Sequence, residues 1–236
     1  MSSHRGPDLP YTVVAGVTPF NDQWLVASAK LAGSVFAPEA PKAYDSFLEV
    51  LGERPLFSAI VVNVPIGYLD TPDMGARTCD RQARALLGRR GTAVHNAPSR
   101  AVFDGRVDPD KDGLDAVTRT MMPRYREVAN EMSPYRQRVV YEGHPELSFF
   151  QLHQDTPLKE SKVITEGKEE RRILLEDRIR GSEPYLDAAS YGVPQKHLYD
   201  CFALLWTARR VFGHAAKRIP VEPEWDGEGL RMEIVY

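Results

Sequence analysis

The chain has 236 residues, of which 42% are hydrophobic and 27% charged, and a formal net charge of −3. This is the composition of an ordinary globular protein, and it gives no overall positive field that would draw the chain to nucleic acid or membrane. Cys79 and Cys201 are far apart, so we expect no disulfide framework and a reducing compartment. No apolar run approaches the ~18 residues of a membrane span, so we expect a soluble, cytoplasmic protein.

The first 52 residues predict a three-stranded meander followed by a helix. Residues 1–10 are polar, and we expect a disordered lead-in. Three runs of β-branched and apolar residues follow, with a turn signal between the first two. The predicted strands cover 11–17, 24–30 and 33–37. Apolar residues at helical spacing then favour a helix over 41–52, which Gly52 would end.

The run at 58–64 is the best candidate for the central strand of a sheet. Its β-branched residues at 60–62 carry no charge, which is typical of a strand buried on both faces. Pro65 cannot continue a central strand and Gly67 permits a tight turn, so Asn63 stands at the carboxyl end. Ligands bind at that end in open α/β sheets. Taken alone, Asn63 is either a site residue or a strand-end cap.

The remaining chain alternates helices with two further strand candidates. The predicted helices cover 77–87, 114–132, 145–153, 169–180 and 195–213, and the predicted strands cover 139–142 and 229–236. Residues 70–135 are expected to form a helical insert within one domain spanning 11–236. A meander followed by strand–helix alternation predicts an α/β fold, with a mixed sheet flanked by helices. That arrangement is the ribonuclease H-like fold.

Candidate chemical groups lie where such a fold brings strand ends and the last helix together. These positions hold Thr18, Asn63 and the pair His197 and Asp200, and Glu142 ends the strand at 139–142. Two-metal hydrolysis of phosphodiesters needs carboxylate ligands for Mg²⁺. Neutral Thr and Asn side chains bind Mg²⁺ far less well. The predicted acidic cluster therefore lacks a carboxylate at two of its positions, Thr18 and Asn63.

Each candidate also has a structural interpretation. His197 and Asp200 share one helix face, which suits a metal, but Asp200 equally suits the solvated start of a helix. Glu142 is often a solvated strand end, and Asp80 is explained by ion pairs within its helix. The nearby basic residues either hold phosphates or form a solvated helix face. They are Arg77, Arg81, Arg84, Arg89, Arg90 and Arg100.

Several motifs follow one another in a recognisable order. They are Ala15-Gly16-Val17-Thr18 with Trp24, Asn63-Val64-Pro65-Ile66-Gly67, Arg77-Thr78-Cys79-Asp80 with Ala83-Arg84 and Leu87-Gly88, Tyr141-Glu142-Gly143-His144-Pro145-Glu146, then Lys162, Gly167 and Arg171, and Asp200 with Ala203, Trp206, Thr207 and Ala208. Over about residues 13–236 this pattern resembles the DUF429 family. That family is described as predicted nucleases with a ribonuclease H-like fold.

The resemblance implies a metal-dependent nuclease site whose first and central strands both end in Asp. Thr18 and Asn63 occupy those positions here, which leaves Glu142 and Asp200 as the acidic candidates. With His197 they form the expected catalytic and metal-binding set. The pair His197-x-x-Asp200 is also similar to the last-helix pair of RuvC-like resolvases. The candidate substrate-binding residues are Arg77, Asp80, Arg81, Arg84 and Lys162.

Two hypotheses of different class follow from these residues. The first is a divergent nuclease that uses Mg²⁺ or Mn²⁺ if active, with phosphodiester hydrolysis weakened or lost through Thr18 and Asn63. The second is a non-catalytic relative that binds nucleic acid, nucleotide or protein and needs no cofactor. A third, lower-ranked interpretation is an enzyme acting on another phosphorylated or anionic small molecule.

Overall fold

The structure is a computed structural model that describes residues 10–236, so the predicted disordered lead-in, apart from Pro10, lies outside the described residues. The strands are β1 (Thr12–Phe20), β2 (Gln23–Ala32), β3 (Val35–Pro38), β4 (Lys42–Tyr44), β5 (Phe57–Val62), β6 (Val140–Glu142), β7 (Arg218–Trp225) and β8 (Arg231–Val235). The helices are α1 (Phe47–Gly52), α2 (Thr78–Leu87), α3 (Arg100–Phe103), α4 (Ala116–Glu131), α5 (Pro145–Leu152), α6 (Thr165–Arg178) and α7 (Gln195–Phe212).

The main sheet has the strand order β3-β2-β1-β5-β6, and β4 pairs with β2 beside β3. Strands β1, β2 and β3 are antiparallel, whereas β5 runs parallel to β1, and β6 parallel to β5. This is a mixed sheet of antiparallel and parallel strands, as the sequence predicts. Its consequence is that β1, β5 and β6 end at the same edge.

Helices cover both faces of the sheet. One apolar core lies between the sheet and α5, α6 and α7, and a second lies on the opposite face with α1 and α4. Helix α7 crosses β1 at Gly16, where an added Cβ would lie 2.1 Å from the backbone nitrogen of Leu205. Only glycine allows this approach. The close contact holds the middle of α7 against the middle of β1.

The prediction of one helix over 41–52 is wrong for its first residues. Residues 42–44 form β4, which pairs antiparallel with Trp24–Val26 of β2. The helix begins at Phe47, because the Ser46 hydroxyl accepts a hydrogen bond of 3.2 Å from the Glu49 amide and caps its first turn. Apolar residues at helical spacing therefore led the prediction to include residues that precede the N-cap Ser46.

Strand β7 is absent from the sequence prediction. Its run contains Pro220 and Pro223, which argue against a central strand. The structure places it in a two-stranded sheet in which β8 is its single partner among residues 10–236, and the register shifts between Ile219 and Glu224. The helical insert predicted at 70–135 corresponds to α2, α3 and α4, between β5 and β6. Within residues 10–236, no helix is both long and apolar enough to cross a membrane.

Candidate functional site

A cavity of about 300 Å³ opens where the three parallel strands end. Its lining includes all of the strand-end and last-helix candidates, Thr18, Asn63, Glu142, His197 and Asp200. The amide of Asn63 donates 3.4 Å to the Thr18 hydroxyl, so the two neutral side chains are directly linked. The cavity is where this sheet topology favours a ligand site.

Backbone hydrogen bonds continue past the strand ends and hold them together. The Asn63 amide N–H donates to the Val17 carbonyl at 2.9 Å, and the Gly143 N–H donates to the Val62 carbonyl at 3.0 Å. The helical insert forms another wall through His95 and α4 residues including Val117 and Met121. One wall of the cavity is therefore the sheet edge, and the other belongs to the insert.

A buried arginine joins the two carboxylates at the base of the cavity. Arg77 donates to both oxygens of Glu142, at 2.6 and 2.8 Å, and to both oxygens of Asp80, at 2.7 and 3.0 Å. It also donates to the carbonyls of Ile66 and Gly67, and the Ile66 amide donates to Glu142 at 2.6 Å. Arg77 is 3% exposed. Asp80 does form the ion pair expected within its helix, but that pair is buried.

In this cluster the guanidinium of Arg77 is shared by two carboxylates, those of Asp80 and Glu142. The pKa of Glu142 reflects this lack of a second positive charge. Burial raises that pKa to about 7, a shift that the charge of Arg77 opposes and the charge of Asp80 reinforces. The donor atoms of Cys79, Asp80 and Glu142 lie within 4.8 Å of one another. A buried acidic cluster therefore exists, with an arginine as its cation.

Asp200 lies in the first part of α7 and is paired with a lysine. Lys162 Nζ lies 2.6 Å from Asp200 Oδ2, while the buried Oδ1 has no hydrogen-bond partner among the described residues. His197 packs its ring 5.6 Å from that of Phe20, and burial lowers the pKa of its imidazole. Lys196 also lines the cavity. This side of the cavity thus combines the Asp200 carboxylate, which has one paired oxygen, with the ammonium groups of Lys162 and Lys196 and the neutral imidazole of His197.

His144 lines the cavity but both of its ring nitrogens are already used. The Glu146 amide donates to Nδ1 at 3.2 Å, so Nδ1 carries the lone pair and Nε2 donates to the Ala93 carbonyl at 3.2 Å. Burial lowers the pKa of His144 and favours this neutral form. Behind it, Arg171 and Arg90 both bond Glu146. His144 therefore orders the start of α5.

The arginines of the sequence do not form a single basic face on the cavity. Of the predicted substrate-binding residues, Arg77, Asp80 and Lys162 line the cavity, whereas Arg81 and Arg84 do not. Arg81 is exposed and bonds groups at the start of its own helix. Arg84 donates 2.9 Å to the carbonyl of residue 94. Most of these guanidiniums are held by groups of the protein itself.

The family model described as "Protein of unknown function (DUF429)" matches residues 16–225. The chain belongs to the DUF429 family. A search of curated proteins finds no match. Among solved structures, RuvC of Thermus thermophilus matches over 87% of this chain and 99% of that chain, with 15% identity and a TM-score of 0.41. Identity at this level gives no residue-by-residue correspondence between the two chains.

A pair of divalent metal ions does not fit the donor set of this DUF429 protein. Both oxygens of Glu142 and both oxygens of Asp80 accept from Arg77. Asp200 also lines the cavity, and its buried Oδ1 has no hydrogen-bond partner in residues 10–236. Thr18 and Asn63 add neutral oxygens only. Hard divalent cations need several charged oxygen ligands, and these residues do not supply them.

The charge of the lining leads to the same conclusion. Three carboxylates line the cavity, and three cationic side chains, one Arg and two Lys, balance them. Aspartates at positions 18 and 63 would leave an excess of two negative charges. With the neutral Thr18 and Asn63 in these positions, the lining has no net negative charge that would attract a metal.

The sequence prediction missed several side chains that line the cavity, among them His95 and Lys196. His95 lies in an irregular segment of the insert, and its partner Asp115 is 20 residues further along the chain. No local spacing connects the two residues. Lys196 lies four residues before Asp200 on α7, so helix periodicity alone could have placed it near the site.

Proposed function

We propose that this DUF429 protein is a divergent relative of ribonuclease H-like nucleases that binds nucleic acid in the cavity and has lost most metal-dependent phosphodiester hydrolysis. One observation carries the proposal. Arg77 and Lys162 engage the carboxylates that would otherwise hold metal ions. An uncompensated carboxylate pair is what a two-metal site requires. The neutral Thr18 and Asn63 support the same conclusion.

Binding of a phosphate-bearing ligand is supported by the groups that remain available. Lys196 forms no ion pair within residues 10–236, and the ring nitrogens of His197 bond no other group there. The amide of Asn63 adds a neutral donor at the strand ends. Ammonium and amide donors of this kind hold phosphate oxygens without metal. The ligand class that suits the cavity is therefore a nucleic-acid strand or a nucleotide.

The metal part of the proposal is tested by restoring the missing charges. We expect titration calorimetry to show little Mg²⁺ or Mn²⁺ binding by the wild type and clear binding by Thr18→Asp/Asn63→Asp. Nuclease assays on DNA in Mg²⁺ should follow the same order, since two added carboxylates restore the negative field. Wild-type metal binding and cleavage that both disappear in Asp200→Ala would overturn the proposal.

The binding part is tested by fluorescence anisotropy with labelled single-stranded RNA and DNA over a range of salt concentrations. For Lys196→Met we expect affinity to fall about tenfold and the salt slope to fall by about one, because one phosphate contact is lost. Lys217→Met is the matched control, since Lys217 pairs with Asp155 and does not line this cavity. Equal effects of the two variants would contradict binding in the cavity.

A further inference from the structure

His95 and Asp115 form a hydrogen-bonded pair on the insert wall of the cavity. His95 Nδ1 lies 2.6 Å from Asp115 Oδ2. The other oxygen of Asp115 accepts 2.8 Å from the Thr118 amide and caps α4, so the carboxylate is fixed in place. Burial works against ionisation of Asp115, but the Thr118 amide and His95 together lower its pKa below the ordinary value. Asp115 is thus an anion beside an imidazole.

This geometry sets the tautomer of His95. Because the carboxylate only accepts, Nδ1 carries the proton and Nε2 carries the lone pair. Nε2 has no hydrogen-bond partner among residues 10–236, and His95 lines the cavity. In His144, by contrast, both nitrogens are engaged. His95 is therefore arranged as a proton acceptor, and Asp115 stabilises the imidazolium that would form.

We propose that the cavity cleaves RNA without a metal ion, with His95 as the general base and Asp115 as its positioning residue. The inference rests on the proposed binding of nucleic acid in this cavity. RNA carries its own nucleophile, the 2′-hydroxyl, next to the scissile phosphate. Neither a metal ion nor a bound hydroxide is then needed to start the reaction. This suits a site whose charges do not hold divalent metals.

The reaction is a transphosphorylation in which no atom is oxidised or reduced. His95 Nε2 takes the proton of the 2′-hydroxyl, and the resulting oxygen forms a bond to the adjacent phosphorus. The bond between phosphorus and O5′ breaks, and the leaving oxygen takes a proton from solvent. The products are a 2′,3′-cyclic phosphate and a 5′-hydroxyl, and His95 returns its proton to water. Lys162 and Lys196, which line the same cavity, oppose the negative charge that develops on the phosphate.

The test uses the full-length protein in EDTA with a labelled single-stranded RNA and the DNA of the same sequence. Anisotropy measures binding, and gel analysis with end-group chemistry measures cleavage. We expect RNA to be cut to cyclic-phosphate ends, and DNA to be bound but uncut. His95→Ala should lower kcat by about 100-fold, because general base catalysis contributes on that scale. Added imidazole should restore part of this loss.

Two variants separate catalysis from folding and from contaminating activity. Asp115→Asn keeps a good N-cap for α4, so we expect an unchanged unfolding midpoint and KM with kcat lowered by at least about tenfold. His153→Ala, which removes an imidazole outside the cavity, should leave kcat unchanged.

Each of the other possible outcomes would overturn a stated part of the inference. RNA that binds but stays intact in EDTA overturns metal-free cleavage and leaves the proposed function standing. Absence of binding overturns both. Cleavage that His95→Ala retains in full assigns the base to another group and overturns the role of His95. A rate for Asp115→Asn equal to that of wild type overturns the positioning role.

Discussion

Two buried glutamates four residues apart are held by opposite balances of charge. Glu142 is 6% exposed at the base of the cavity and shares the guanidinium of Arg77 with a second carboxylate. Glu146 is 2% exposed behind the cavity and accepts from two guanidiniums, those of Arg171 and Arg90. The cluster around Glu142 has two carboxylates and one arginine, whereas the cluster around Glu146 has one carboxylate and two arginines.

This difference decides in which direction each pKa moves. For Glu146, burial works to raise the pKa, but the hydrogen bond from Arg90 and the charges of Arg171 and Arg90 lower it below its ordinary value. For Glu142, burial outweighs the single shared arginine, and the pKa rises. Depth of burial is similar in both, so the ratio of arginines to carboxylates accounts for the opposite signs. The cluster that lines the cavity is the one with a spare negative charge.

The largest expected effect comes from removing the shared arginine. Arg77→Met leaves Asp80 and Glu142 buried without a cation, so we expect the free energy of unfolding at pH 8 to fall by about 3–5 kcal/mol. At pH 5 the loss should be smaller, because Glu142 then takes up a proton and no longer needs a counter-charge. Urea unfolding at the two pH values measures the difference.

Arg81→Met is the control for this change, because Arg81 lies four residues further along, in the first part of α2, and is exposed. We expect no measurable shift of its unfolding midpoint. If Arg77→Met were equally destabilising at pH 5 and pH 8, the idea that Glu142 absorbs the imbalance by protonation would be wrong.

Removal of Arg171 should have a smaller effect, because Arg90 still pairs with Glu146. We expect Arg171→Met to lower the free energy of unfolding by about 3 kcal/mol, the low end of the range for breaking a buried ion pair, since Arg90 still compensates part of the Glu146 charge. Arg172→Met is the matched control on the neighbouring residue, whose guanidinium pairs with the exposed Glu169 and the half-buried Glu176. A loss as large for Arg172→Met as for Arg171→Met would show that helix α6 itself, and not the buried pair, is responsible.

The fold could be predicted from sequence because its signals are local. The β-branched run of β5, the meander before it and the apolar faces of the long helices each appear within a short window. The exceptions also have local causes. Strand β4 is only three residues long, and the prolines of β7 hide its pairing with β8.

The site could be predicted only in part, because its decisive contacts join distant segments. Chain order placed Thr18, Asn63 and Asp200 near the strand ends, and the cavity contains them. Nothing in the local pattern indicated that Arg77 would bond Glu142, 65 residues later, or that Asp115 would orient His95. Such partners depend on how the insert folds back over the sheet edge.

The smallest expected effect is a difference in how pH changes the contributions of Glu142 and Glu146 to stability. Glu142 has a folded pKa of about 7 against an ordinary value of 4.5, so its contribution to stability is full below pH 4.5 and is lost as pH rises through 7. Glu146 has a lowered folded pKa, so its contribution is full above pH 4.5 and is lost as pH falls through that lower value.

The free energy of unfolding of wild type relative to Glu142→Gln should therefore fall with rising pH between 4.5 and 7, by about 1 kcal/mol per pH unit. Relative to Glu146→Gln, it should fall with decreasing pH below 4.5. Difference curves of the same sign would rule out the opposite charge balances, because a single effect of burial would then act on both glutamates.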